Sequence, residues 1–219
     1  MSSNRWLVGE VAYVDRMPAL ALEALNEKQR KVAEELMNGP RGGVKGPFIP
    51  LLRSPELVDR LGRVGEYLRF GSALDARVRE LVTLIVAREW TNQFEWAVHV
   101  PLALEAGIER DVIDALAQGR DPKGMTASEE IAYEVCAELS RTKGVCELTY
   151  RRAIEAFGEA GLIEIVSVYG YFVTISAIMN IAHTAPPEGC TQLRFSAHTR
   201  RTKSYRYAPA LSAAAGWAT

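Results

Sequence analysis

RELVTLIVAREWTNQFEWAVHVPLALEAGI, residues 79–108, decides the fold class. Val78, Leu81, Val82, Ile85 and Val86 recur at i, i+3, i+4, i+7 and i+8, the apolar stripe of an amphipathic helix, and Asp75 can cap it. A break at Trp90–Asn92 precedes a second helix, over 92–106, which Gly107 stops because glycine accepts the left-handed conformation there. The pair reads as an antiparallel hairpin. It also carries the chemistry: Asn92, Glu95 and His99 fall at i, i+3 and i+7 and share one helix face. Glu80, on the preceding helix, reaches the same place across the hairpin. A carboxylate beside an imidazole orients it and raises its pKa, which makes His99 an acid/base candidate near neutral pH. The same residues also admit a structural reading. Asn92-x-x-Glu95 has capping-box spacing, with Glu95 reaching back to the Asn92 N–H.

Outward from this hairpin the helical period persists. NEKQRKVAEELMN (26–38) is helix-forming and ends in GPRGGVKGPFIP (39–50), whose three prolines and four glycines make it the strongest breaker in the chain. Ser54 and Pro55 open the next helix. Further helices are expected over 110–118, 127–142, 147–160 and 161–183, the last apolar on nearly all faces and so a core or subunit-interface helix. No segment alternates convincingly with period two, so the chain is all-α. An internal likeness links 80–99 with 164–183: both begin with Glu and end in His nineteen residues later. A duplicated helical unit would make Glu164 and His183 a second copy of Glu80 and His99.

The bulk figures exclude several function classes. The 219 residues suffice for one domain with extensions, and 48% hydrophobic with 24% charged residues is ordinary for a soluble protein. A net charge of −1 gives no global attraction to nucleic acid or anionic lipid. The balance is uneven, however. Residues 190–219 hold five bases and no acid, leaving 21 bases against 27 acids in the other 189 residues. Without a nucleic-acid-binding motif that tail reads as a solvated arm. Three scattered cysteines (Cys136, Cys146, Cys190) form no CxxC and fit a reducing compartment. No signal-type apolar region opens the chain and no bilayer-spanning helix is expected, so a cytoplasmic protein is expected. Glu80, Glu95, His99 and His183 lack the HxxxH or HExxH spacing of a metal site, and no metal is expected.

GPRGGVKGPFIPLLRSPELVDRLGRVGEYLRF, the 79–108 stretch and GLIEIVSVYGYFVTISAIMNIAHTAPPEG together resemble the carboxymuconolactone decarboxylase family, within the alkylhydroperoxidase D-like superfamily. The likeness spans about 27–190, flanked by an N-terminal arm (1–26) and the basic tail (191–219). It implies an all-helical fold with a duplicated helical unit, assembled into trimers or hexamers. The peroxidase branch uses a Glu, a CxxC pair and a His. On this chain the Glu falls on Glu80 and the His on His99, while the cysteine positions fall on Asn92 and Glu95. Thiol peroxidase activity is therefore not expected, since neither side chain supplies a thiolate. What the resemblance leaves is proton chemistry. The expectation is a cofactor-free acid/base enzyme for a small carboxylated lactone or dienoic acid, with His99 as proton donor tuned by Glu95 and Glu80. Arg41, Arg77, Arg79 or Arg88 would bind the substrate carboxylate, and Asn92 would bind the lactone carbonyl. Lactone or ester hydrolysis, isomerisation and non-catalytic binding are the alternatives on the same scaffold.

Overall fold

Asn26 opens the first long helix, α1 (Glu27–Asn38), with a reciprocal capping box to Gln29. The computed structural model describes residues 6–8, 11–190 and 193. Ahead of α1 stand a 3-10 turn (Leu22–Ala24) and a small antiparallel hairpin, β1 (Trp6–Val8) with β2 (Val11–Tyr13). Strands of three residues are too short to display a period of two, which is why the pattern is silent about them. The chain is otherwise helical: α2 (Phe48–Leu51), α3 (Pro55–Glu66), α4 (Ala76–Glu89), α5 (Gln93–Glu105), α6 (Arg110–Ala117), α7 (Ala127–Thr142) and α8 (Glu147–Ala182). The all-α expectation holds.

Helix ends follow local chemistry. The Asp75 side chain accepts from the Arg77 N–H at α4, and Thr126 forms a capping box with Glu129 at α7. Gly107 and Gly119 terminate α5 and α6 with positive φ. Between α3 and α4 lies a π-helical turn, Tyr67–Gly71, of the kind that often accompanies functional sites. Both of its ends are pinned to one carboxylate: the Tyr67 and Ser72 hydroxyls donate to Glu164 of α8.

α4 is the central element and is buried nearly all round. Val78, Val82 and Val86 face a core shared with Val135, Ile165, Val168 and Ile175. Leu81, Leu84 and Ala87 face a second core with Trp96, Ile108, Ile113 and Leu116. The sequence stripe reported only part of this, because a helix between two cores has no polar face to define the stripe. Gln93 extends the second core beyond position 190: its amide exchanges hydrogen bonds of 2.7 and 2.8 Å with the backbone of Leu193, which is buried. The rest of the basic tail lies outside the described residues.

α8 breaks once, at Gly158 (φ 67°), close to the expected 160/161 boundary. From there to Ala182 it is one continuous helix. Glu164 and His183 therefore stand about 28 Å apart along the axis, unlike Glu80 and His99 in their hairpin. The likeness between the two stretches does not extend to a second acid/base pair. Against the expectation that no helix of this kind is present, α8 has the length and mean hydropathy (1.8) of a bilayer-spanning helix, with no charged residue over 165–182. Here its buried face packs on α4 and α7, as a core helix does.

Candidate active site

The α4–α5 hairpin turns at Thr91, a left-handed residue (φ 48°), and places Glu80 and His99 side by side. Glu80, Glu95 and His99 are only 6%, 4% and 3% exposed. His99 Nδ1 lies 2.6 Å from Glu80 Oε2, and Nε2 lies 3.1 Å from Glu95 Oε2. Both ring nitrogens are thus held by carboxyl groups, one from α4 and one from the same helix, α5. Arg79 stands behind Glu80, at 3.8 Å, so two acidic and two basic side chains share one buried chain.

Burial works against a charged imidazole, but hydrogen bonds to Glu80 and Glu95 and their charges outweigh it. The His99 pKa rises to about 9. The edge of the Phe172 ring closes on the imidazole at 5.1 Å between centroids.

The capping alternative is resolved in an instructive way. The Asn92 side chain does cap α5, accepting from the Glu95 N–H at 2.9 Å. The reciprocal bond is missing, because the Asn92 N–H donates to the Ala87 carbonyl at 2.8 Å. The Glu95 carboxyl is therefore spare for His99. The Asn92 amide is spent on the Ser176 carbonyl and Asn180, which removes it from the expected lactone contact.

A cavity of about 250 Å³ opens beside this chain, with Glu95 and His99 in its wall and Glu80 behind them. Phe48, Phe94, Tyr171, Phe172, Val98 and Ile175 make most of the wall apolar. The glycine-rich loop 39–47 supplies one rim. Gly46 (φ +54°) has to be glycine, since a Cβ there would stand 2.5 Å from the Phe94 ring. The π-helical turn supplies Arg69 and Phe70 to the opening.

Of the expected carboxylate-binding arginines, the structure brings Arg41 to this cavity. Arg77 is committed to the fully buried Glu129 at 2.7 Å, where it braces α4 against the start of α7. Arg79 is paired with Glu80. Arg88 donates to the Leu116 carbonyl and faces a separate groove beside Arg120 and Arg141. Arg77, Arg88 and Asn92 are thus corrected to supporting positions. Tyr171 and Phe172 were missed. Their signal was an aromatic cluster, YGYF, in an otherwise aliphatic helix.

Residues 55–137 match the carboxymuconolactone decarboxylase family. That segment contains the whole Glu80–His99–Glu95 arrangement and ends within α7. The family resemblance drawn from the motifs is sound over this region. Two solved structures share the fold. One is an uncharacterized peroxidase-related protein of Ralstonia eutropha JMP134, described as an alkylhydroperoxidase AhpD core. It is 17% identical, with a TM-score of 0.62 over 79% of this chain and 92% of that one. The other is a protein of unknown function from Agrobacterium tumefaciens, proposed for AhpD-type antioxidant defence. It is also 17% identical, with a TM-score of 0.57 over 65% of this chain and 99% of that one. No curated protein matches the chain. Cys136, Cys146 and Cys190 are all unpaired, and none lines the cavity.

Proposed function

We propose that the chain is a cytoplasmic acid/base enzyme that decarboxylates a small carboxylated lactone or dienoic acid of the carboxymuconolactone type. The observation that carries this reading is the buried Glu80–His99–Glu95 chain ending in the wall of an apolar cavity that also holds Arg41. Loss of CO2 from a conjugated lactone leaves an enolate-like carbanion, with the substrate itself as electron sink. The protein has then to hold an anion and deliver one proton to carbon. His99, with its pKa raised to about 9, is stocked with that proton at neutral pH. Because Nε2 faces Glu95, and Glu95 lines the cavity, the proton passes either from Nε2 directly or through the Glu95 carboxyl.

The peroxidase descriptions of the two fold relatives do not transfer on chemistry. Cys136 is fully buried and burial pushes its thiol well above the usual range, while Cys146 is exposed beside Glu138, away from the cavity. A peroxide-reducing site needs an accessible thiolate with a resolving partner. CO2 release from carboxylated γ-lactones tests the proposal directly. Turnover with CO2 in step with substrate loss is expected. Ring opening without CO2 would reject decarboxylation in favour of hydrolysis.

The reading includes a homo-oligomer, as the family resemblance implies. The outer face of α8 leaves Ile163, Val166 and Ile181 at 66%, 40% and 61% exposed, with Gly170 between them. Such a stripe is characteristic of a subunit interface. Light scattering is expected to return a trimer or hexamer, and Ile163→Glu to lower that mass. A monomer in the wild type would overturn the assembly.

A further inference from the structure

Tyr171 belongs to neither the family segment nor the acid/base chain, yet its place in the cavity is tightly enforced. Its hydroxyl lies beside the Arg41 guanidinium. Both groups converge on Gly65 of α3. A Cβ there would stand 2.1 Å from the Tyr171 hydroxyl oxygen and 2.9 Å from Arg41 Nη2. Arg41 Nη2 also donates to the Gly62 carbonyl at 3.2 Å, and the guanidinium covers the Phe48 ring at 4.5 Å. The cation is therefore fixed on several sides, although no carboxylate pairs with it among the described residues. Burial opposes its charge, and Tyr171 and Glu66 offset only part of that.

Donor bookkeeping decides what the pair is for. A guanidinium has only donors, so towards Arg41 the Tyr171 oxygen can only accept, and its own O–H remains to be donated elsewhere. That O–H donates no hydrogen bond among the described residues. Two adjacent donors, one of them cationic, then face a cavity whose lining carboxyl, Glu95, is engaged by His99. We propose that Arg41 and Tyr171 form a fork for a ligand carboxylate, with Gly65 as the residue that makes room for it. The proposal rests on the small-carboxylate reading above and adds to it a residue and an orientation. Tyr171 meets Phe172 edge-on at 5.4 Å, and Phe172 meets His99 at 5.1 Å. The anchored carboxylate and the atom that receives the proton therefore lie at opposite ends of the ligand, with its planar body against Phe172.

Calorimetric titration of the full-length protein with 2-furoate and its neutral amide, 2-furamide, tests this without turnover. Wild type is expected to prefer furoate. Tyr171→Phe, which keeps the ring and loses the O–H, is expected to weaken furoate about tenfold or more and leave furamide unchanged. Gly65→Ala is expected to act in the same direction, because its Cβ displaces the hydroxyl. Circular dichroism checks that each variant is folded, and either folded variant suffices. Equal furoate affinity in wild type and a folded variant would overturn the fork. So would a wild type that shows no preference for furoate, or no furoate binding. The two proposals fail separately. Furoate selectivity without CO2 release rejects the reaction and keeps the fork, whereas CO2 release without selectivity does the reverse.

Discussion

Glu80→Ala is expected to destabilise the fold by about 3–5 kcal/mol, because it strips one partner from a buried charged chain and leaves the others uncompensated. Glu80 is 6% exposed and holds His99 Nδ1 on one side and Arg79 on the other. Glu80→Gln keeps the volume and one acceptor, and should cost less. The effect carries a pH signature. The folded-state pKa of His99, about 9, lies above the unfolded value near 6.5. Its stabilising contribution is therefore fully present below about pH 6.5 and is lost as pH rises through about 9. Urea midpoints measured across that window should fall in the wild type and fall less in Glu80→Ala. A cost under about 1 kcal/mol would mean that the pair is not a coupled unit.

His99→Ala is expected to lower turnover by about 10²–10⁴-fold, the usual worth of a placed general acid or base. Circular dichroism has to show the variant folded, because removing a 3% exposed imidazole leaves Glu80 and Glu95 without their partner. In the wild type the rate should hold at neutral pH and fall as pH rises through about 9, where the imidazolium gives up its proton. The variant's residual rate should lack that limb. Unchanged turnover would remove His99 from the chemistry altogether.

Much of this was legible in the chain because it depends on short-range rules. Glu95 and His99 share a face by helix geometry alone, and the Trp90–Asn92 break implied the hairpin that delivers Glu80. The capping residues Asn26, Asp75, Asn92 and Thr126 act within three positions of themselves; spacing singled out Asp75 and Asn92 and passed over the other two. Choosing among the arginines was a different matter. Arg77 and Arg41 are equally basic in sequence; Glu129, fifty-two positions further on, commits the first, and among the described residues no carboxylate pairs with the second. The Gly65–Tyr171 contact likewise joins residues from distant helices, and no local pattern encodes it. Glu164 had the right neighbours for a repeat, but it serves as a clip for the π-helical turn.

The unbroken run of α8 from 159 to 182 has a countable consequence. A second hairpin would have given each chain two buried Glu–His pairs, whereas one rod separates Glu164 from His183 and leaves, among the described residues, the Glu80–His99–Glu95 chain alone. Ligand should saturate at one equivalent per chain, and a trimer or hexamer would carry three or six sites, each complete in the number of its acid/base groups.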